Sequence, residues 1–141
     1  MSPLVCDTSG ILAALDTADP AHEPCRAVLQ TWSGALVLSP LVLAELDFLV
    51  RARLGADVAR RVADDVAAGA YRLEALGAED VARCVAVDRS HRDLGVGLAD
   101  ASVVVLAERV ATNALLTLDE RHFRVLRPLG GGSFRLLPAD A

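Results

Sequence analysis

The chain has 141 residues, which is enough to build one domain around a substantial hydrophobic core, and we predict that residues 1–141 form a single domain. A hydrophobic content of 53% predicts a globular protein and excludes a disordered one. The net charge of -5 argues against broad, nonspecific binding to nucleic acid, although it leaves room for a local basic rim around an acidic pocket.

Patterns that mark several other classes of protein are missing. All 14 basic residues are arginines, and this excludes a Walker P-loop and Schiff-base chemistry because both need a lysine. Cys6, Cys25 and Cys84 are widely spaced and form no C-x-x-C pair, so we expect neither a disulfide framework nor a zinc site. No apolar run reaches the ~20 residues of a membrane span, and no signal-peptide pattern opens the chain, so we expect a cytoplasmic protein without a membrane partner.

Short apolar runs alternate with longer Ala- and Leu-rich stretches along the chain. In chain order, the short runs predict β-strands at residues 4–6, 36–38, 71–74, 114–117 and 134–137. The longer stretches carry apolar residues at helical spacing and predict helices at residues 9–16, 21–32, 40–54, 57–69, 78–92 and 98–111. Ser39 and Pro40 form an N-cap signature for the third helix. The alternation predicts an α/β fold of three layers, with helices on both faces of a mainly parallel sheet.

Four acidic residues are expected at one edge of this sheet. Asp7 directly follows the first predicted strand, and Asp119 follows the fourth. Glu45 lies in the second turn of the helix that leaves the second strand, and Asp100 lies near the start of the helix at 98–111. Since ligands of such sheets bind beyond the carboxyl ends of the strands, the four carboxylates are candidates for one shared site.

Asp7 and Asp119 each allow two interpretations. Asp is a common helix cap and turn residue, and either position suits that role. The alternative is a functional carboxylate at the sheet edge. The residues alone leave both interpretations open.

Glu45 differs because its neighbours on the helix are apolar. At about 100° per residue, the residues three and four places away share its face. These neighbours are Leu41, Val42, Phe48 and Leu49. Asp47 instead lies on the side of Arg51, where a solvated role suits it. A charge on an apolar stripe is costly unless it is paired or bound to a metal, so we expect Glu45 to face inward at a site.

Asp100 repeats the pattern of Glu45. Its neighbours down the helix are Val103, Val104, Ala107 and Ala111. An arginine partner is the structural alternative for both acids, but a shared metal site is favoured, because Mg²⁺ and Mn²⁺ prefer carboxylate oxygens. Without a metal, four clustered carboxylates would repel one another, and at least one should have a raised pKa.

Four segments resemble the PIN-domain ribonucleases, and within that family the VapC-type toxins of bacterial toxin–antitoxin pairs. The segments are VCDTSGILAALD, LSPLVLAELDFLV, LADASVVVLAERV and LLTLDERHF, and they occur in the family's order and spacing over nearly the whole chain. The family's acids fall on Asp7, Glu45, Asp100 and Asp119, and the polar residue that often precedes the last acid falls on Thr117. His122 and Phe123 also fit the family, and we interpret them as packing and orientation for the turn after Asp119.

The resemblance implies a metal-dependent endoribonuclease with Mg²⁺ or Mn²⁺ as cofactor. It further implies a homodimer, a cognate antitoxin that blocks the cleft, and structured RNA of the translation machinery as the substrate. Asp7 and Asp100, with Asp119 directly or through water, would hold the metal. Glu45 would hold or deprotonate the attacking water, and Thr117 would orient a carboxylate or a water. Cleavage would leave 5′-phosphate and 3′-hydroxyl ends.

Candidate RNA contacts are Arg121, Arg124 and Arg127, just after the last acid. A solvated run of charges is the alternative, and we expect it for at least one of them. Two other functions remain open: a PIN nuclease of RNA processing without an antitoxin, and a PIN module that binds RNA or a partner without cleaving. Four intact acids count against the binding module, and the size of the chain favours a stand-alone toxin.

Overall fold

Five short strands form the centre of the molecule. In a computed structural model, which describes residues 1–141, they are β1 (Leu4–Cys6), β2 (Leu36–Leu38), β3 (Arg72–Leu73), β4 (Ala114–Leu116) and β5 (Arg135–Leu137). All neighbouring pairs are parallel, in the order β3-β2-β1-β4-β5. In the central strand β1, Val5 pairs with Val37 on one side and with Leu115 on the other. The carboxyl ends of β1, β2 and β4 therefore lie side by side.

Seven helices connect the strands and flank the sheet. They are α1 (Thr8–Leu15), α2 (His22–Thr31), α3 (Pro40–Leu54), α4 (Ala56–Ala67), α5 (Ala78–Ser90), α6 (Gly97–Arg109) and α7 (Glu120–Phe123), with a 3₁₀ turn at Arg92–Leu94. The predicted parallel α/β fold is confirmed. The short helix α7 was not predicted, because four residues are too few to show helical periodicity. None of the helices is both long and apolar enough to cross a bilayer.

The core forms where α6 packs against β1, α3 and α5. Every residue of α6 from 101 to 107 is buried, although most surface helices of small domains bury only one stripe. Each fully buried Val or Leu here contributes about 1.5–3 kcal/mol relative to an exposed one. Asp100 stands at the exposed end of this buried run, so it is carried by the best-packed helix of the molecule.

Buried hydroxyl groups join α3 to α6. Ser39 caps α3 as predicted, since its Oγ accepts a hydrogen bond from the Leu41 N–H at 3.1 Å and Pro40 occupies the first turn. The Ser39 Oγ also lies 2.7 Å from the Ser102 Oγ, and the Ser102 hydroxyl donates to the Ala99 carbonyl. Both serines are fully buried. The start of α3 is thereby fixed against the first turns of α6.

Helix α1 runs unusually close to β4. A Cβ atom at Gly10 would lie only 2.5 Å from the Leu116 Cγ. Glycine is therefore required at this position by close packing rather than by its backbone angles. The close approach brings the first turn of α1, just after Asp7, against the end of β4.

Candidate functional site

Asp7 is buried at the carboxyl end of β1. Its side chain makes no capping hydrogen bond to α1, although its backbone occupies the N-cap position. The residue is only 3% exposed, and the Asp7 N–H donates to the Leu116 carbonyl of β4. Its Oδ1 is buried and has no hydrogen-bond partner. A buried carboxylate oxygen without a partner is costly, so helix capping does not account for Asp7.

Thr117 and Ser9 hold the other oxygen of Asp7. The Thr117 hydroxyl donates to the Asp7 Oδ2 at 2.8 Å, and the Ser9 hydroxyl donates to the same atom at 3.2 Å. The Thr117 Oγ1 also accepts from the Asp119 N–H, and the Ser9 Oγ accepts from the Leu118 N–H. These bonds fix the orientation of the Asp7 carboxylate and tie it to the turn that carries Asp119.

Asp100 and Asp119 converge on His122. The His122 Nδ1 lies 2.5 Å from the Asp100 Oδ2 and 3.0 Å from the Asp119 Oδ2. Ligand atoms of all three residues lie within 4.8 Å of one another, a spacing that could hold a metal ion. Asp119 also caps α7, because its Oδ1 accepts from the His122 N–H at 3.0 Å. The capping role of Asp119 is therefore compatible with its place beside the other acids.

The electrostatics of the acids show that they are crowded. Burial raises the pKa of Asp7 to about 6, and the nearby charge of Asp100 adds to this shift. Burial also raises the pKa of Asp100, the charges of Asp119 and Glu45 raise it further, and the hydrogen bond and charge of His122 act in the opposite direction. Carboxylates that resist ionisation in this way gain from a bound cation, which stabilises their charged forms.

Glu45 does not face the core, contrary to the prediction from its neighbours. Glu45 is exposed, and the buried stripe of α3 is Val42, Leu46 and Val50. Phe48, one of the apolar neighbours, is 71% exposed. The helix-face prediction was wrong because it counted Phe48 as core. No arginine forms an ion pair with Glu45 or Asp100, whereas Asp47 pairs with Arg51 at 2.9 Å, as its side of the helix indicated.

A cleft of about 490 Å³ nevertheless brings the acids together. Its walls include Asp7, Glu45, Asp100, Asp119 and His122. Thus all four predicted carboxylates line one cavity at the carboxyl edge of the sheet. Thr117 does not line the cleft, but its hydroxyl donates a hydrogen bond to Asp7, which does.

The three arginines proposed for RNA contact do not line this cleft. Arg124 is held by ion pairs with Glu120 and Asp140 at 2.9 and 2.7 Å. Arg127 donates to the Gly132 carbonyl. Arg121 is exposed and forms no ion pair, so its guanidinium can contact a ligand. The arginine that does line the cleft is Arg53 of α3.

Comparison with known proteins agrees with this architecture. The family model described as PIN domain matches residues 4–127. The chain belongs to the PIN-domain family. This PIN domain is 42% identical over 135 residues to ribonuclease VapC26 of Mycobacterium tuberculosis, which covers 96% of this chain and 100% of that relative.

Solved structures of three other proteins share the fold of this PIN domain. One is Mycobacterium tuberculosis VapC20, a sarcin–ricin loop cleaving toxin, with a TM-score of 0.77, 18% identity and coverage of 83% of this chain and 90% of that one. Another is VapBC2 from Rickettsia felis bound to a promoter DNA fragment, with a TM-score of 0.65, 15% identity and coverage of 90% and 95%. A third, a toxin–antitoxin complex from Klebsiella pneumoniae, has a TM-score of 0.64, 17% identity and coverage of 87% and 92%. These likenesses support the fold of the PIN domain.

Sequence reasoning missed three residues of the site. His122 was assigned to packing, yet its ring lies between two of the acids. Ser9 supports Asp7, and the only signal for it was a hydroxyl two places after a strand-end acid, which often hydrogen-bonds to it. Arg53 carries a weaker signal, since it lies eight residues after Glu45 and so a little over two helical turns along the same helix.

Proposed function

We propose that this PIN domain is a divalent-metal-dependent endoribonuclease that acts as the toxin of a VapBC-type pair and cuts structured RNA of the translation machinery. The observation that carries the proposal is the buried, unpartnered Oδ1 of Asp7 in a cleft that also holds Asp100, Asp119 and Glu45. The 42% identical relative named a ribonuclease supports the same chemistry. We further propose that residues 1–141 work as one domain.

The residues of the cleft fit a divalent cation. Asp7, Asp100 and Asp119 offer carboxylate oxygens, which are preferred ligands of Mg²⁺ and Mn²⁺. Asp7 Oδ1 lacks any other partner, so a cation would satisfy it. When bound, such an ion supplies Lewis-acid stabilisation of charge on a phosphodiester and of the nucleophile that attacks it.

The protein's own groups then divide the remaining work. Glu45 is exposed in the cleft and free of ion pairs, so its carboxylate can accept the proton of the attacking water. Thr117 and Ser9 orient the Asp7 carboxylate through hydrogen bonds. Arg53, on the same helix as Glu45, can contact an RNA phosphate beside the acids, and Arg121 can do so from outside the cleft. Attack at phosphorus would leave 5′-phosphate and 3′-hydroxyl ends.

The proposed partners follow from the family and from one exposed surface. Solved relatives include toxin–antitoxin complexes, which supports a cognate antitoxin that covers the cleft. Phe48 is 71% exposed on α3, and exposed aromatic side chains are common at protein interfaces, so we propose a homodimer or antitoxin contact there. The RNAs of translation are cytoplasmic, and the proposed activity therefore belongs in the cytoplasm.

Neither alternative function is favoured by an observation in the structure. A binding module has no need for four carboxylates in one cleft, and two of the solved structures named above are described as a toxin and a toxin–antitoxin complex. The toxin therefore remains the proposed function.

The test replaces Asp7 by Asn and follows RNA cleavage. Transfer RNA and a sarcin–ricin-loop oligonucleotide are incubated with protein and Mg²⁺ or Mn²⁺. We expect folded Asp7→Asn protein to lose cleavage, because a neutral amide is a poor metal ligand. Asp47→Asn is the matched control, since Asp47 pairs only with Arg51 on the outer side of α3. Full cleavage by folded Asp7→Asn protein would refute the proposal.

A further inference from the structure

The position of His122 is unusual for a residue that only packs a turn. Its Nδ1, rather than its ring carbon edge, faces both Asp100 and Asp119, at 2.5 and 3.0 Å. The ring is not needed to cap α7, because the backbone N–H of His122 already donates to Asp119. Without a cation, the Nδ1–H of His122 donates to the acids. The Nε2 of His122 makes no hydrogen bond within the chain, so the ring proton can reside on Nε2 when a cation takes the place of the Nδ1 proton and binds the Nδ1 lone pair.

A second observation points to a cation in this cleft. Asp7 is 3% exposed, lines the same cleft, and keeps Oδ1 without any hydrogen-bond partner. His122 does not contact Asp7, so its ring cannot satisfy that oxygen. A cation held by Asp100, Asp119 and His122 would bring positive charge into the same cleft as Asp7.

We propose that the Nδ1 of His122 is itself a metal ligand, and that the site therefore prefers a divalent transition ion such as Mn²⁺ to Mg²⁺. This inference rests on the proposed function, since it concerns the metal of the same cleft. Mg²⁺ is a hard ion that takes oxygen ligands almost exclusively and holds its waters tightly. An imidazole nitrogen adds little for Mg²⁺, whereas first-row transition ions accept mixed nitrogen and oxygen donors.

A positioning role is the competing explanation, in which His122 only holds the two carboxylates in place. Removal of a positioning residue would weaken the binding of both ions to a similar degree. Removal of a nitrogen ligand would instead weaken Mn²⁺ more than Mg²⁺, because only the transition ion gains from the nitrogen. The two explanations therefore differ in a ratio of affinities.

The decisive measurement is pulsed electron paramagnetic resonance of the full chain loaded with Mn²⁺. We expect modulation from a directly bound ¹⁴N nucleus in the wild type, and its loss in His122→Gln with Mn²⁺ still bound. His91→Gln is the matched control, because His91 lies outside the cleft and contacts the Val87 carbonyl. Its modulation should equal that of the wild type. Should His122→Gln fail to fold, wild-type protein labelled with ¹⁵N-histidine gives the same answer through the changed nuclear frequency.

Calorimetric titration with Mn²⁺ and with Mg²⁺ gives the second readout. We expect the preference for Mn²⁺ over Mg²⁺ to fall by about tenfold or more in His122→Gln. Bound Mn²⁺ without nitrogen modulation, or an equal loss of both affinities, would overturn the role of His122 and leave the proposed nuclease intact. Absence of Mn²⁺ and Mg²⁺ binding to the wild type at millimolar concentration would overturn both proposals.

Discussion

The two sides of the cleft are built in opposite ways. On one side, Asp7 and Ser9 at the end of β1 are backed by Thr117, and we call these residues the strand-end wall; Asp7 is buried and its Oδ2 is fixed by two hydroxyls. On the other side, Glu45 and Arg53 of α3 form the helix wall, where both side chains are exposed. The strand-end wall is thus suited to hold an ion in a fixed place, and the helix wall to meet water and RNA.

The position of each carboxylate in the fold determines which chemical role suits it. A carboxylate at a buried strand end has few rotamers and a low-dielectric surrounding, so its charge strongly affects its neighbours. A carboxylate on an exposed helix face keeps its solvation and its freedom, which suits a group that must exchange protons with water. Four substitutions test this division of roles.

The largest effect is expected for Asp100→Asn, at the half-buried acid of α6. RNA cleavage should fall to background. The rise in melting temperature caused by Mn²⁺ should also disappear, because Mn²⁺ stabilises the native state by binding to it and the variant no longer binds the ion. Combination with Asp7→Asn should add no further loss, since both residues serve one ion. Differential scanning fluorimetry with Mn²⁺ and with EDTA, beside a cleavage assay, measures both. A rise in melting temperature equal to that of the wild type would contradict the role of Asp100.

Glu45→Gln should separate the two walls. Cleavage should fall by about 10²–10⁴-fold, the range for loss of a general base. Most of the stabilisation by Mn²⁺ should persist, because the ligand atoms that lie within 4.8 Å of one another belong to Asp100, Asp119 and His122 and do not include Glu45, whose charge acts on Asp100 only from a distance. Glu23→Gln, at a residue outside the cleft, serves as the control. Loss of Mn²⁺ stabilisation in Glu45→Gln would mean that the helix wall also binds the ion.

Stability of the metal-free protein should depend on Asp7 as pH changes. The folded pKa of about 6 lies above the unfolded value of about 3.9, so the folded state binds more protons between these values. The free energy of unfolding should therefore fall as pH rises from about 4 to about 6, by roughly 3 kcal/mol for a shift of about two units. Urea unfolding in EDTA across this range measures it. In Asp7→Asn this fall should shrink by that amount, and a slope unchanged from the wild type would show that Asp7 ionises freely.

The smallest effect is expected for Arg53→Ala on the helix wall. Loss of one phosphate contact should raise KM several-fold, reduce the salt dependence of RNA binding by about one unit of slope, and leave kcat and Mn²⁺ binding unchanged. Arg124→Ala is the matched control, because Arg124 is held by Glu120 and Asp140 outside the cleft. Equal effects of the two substitutions would mean that general charge, rather than position in the cleft, governs RNA binding.

The acids at the strand ends were predictable from the sequence, whereas Ser9 of the strand-end wall was not, and the helix wall was predictable only in part. Asp7 and Asp119 follow buried apolar runs, and chain order in a parallel α/β fold brings such ends to one edge. Glu45 was assigned to the correct cleft for the wrong reason, since Phe48 is exposed rather than buried. Periodicity shows which residues are apolar but does not show which apolar residues remain at the surface.

Contacts between distant segments were beyond sequence reasoning. Ser9 accepts a hydrogen bond from the Leu118 N–H, and His122 contacts Asp100. Both contacts depend on how α1, α6 and α7 pack at the sheet edge. Ion pairs that hold Arg124 depend likewise on Asp140, which lies beyond β5. Such contacts are set by tertiary geometry, and neither the spacing nor the charge pattern of a local segment contains them.

The buried hydroxyls of Ser39 and Ser102 have an evolutionary consequence. They link the first turn of the helix that carries Glu45 to the helix that carries Asp100, so they set the distance across the cleft. Replacement of Ser102 by Ala leaves the buried hydroxyl of Ser39 without an acceptor, at a cost of about 1–3 kcal/mol. Replacement of Ser39 also removes the cap of α3, at a cost of about 1 kcal/mol. Descendant sequences should therefore keep both serines, and a lineage that loses either one should widen or loosen its cleft.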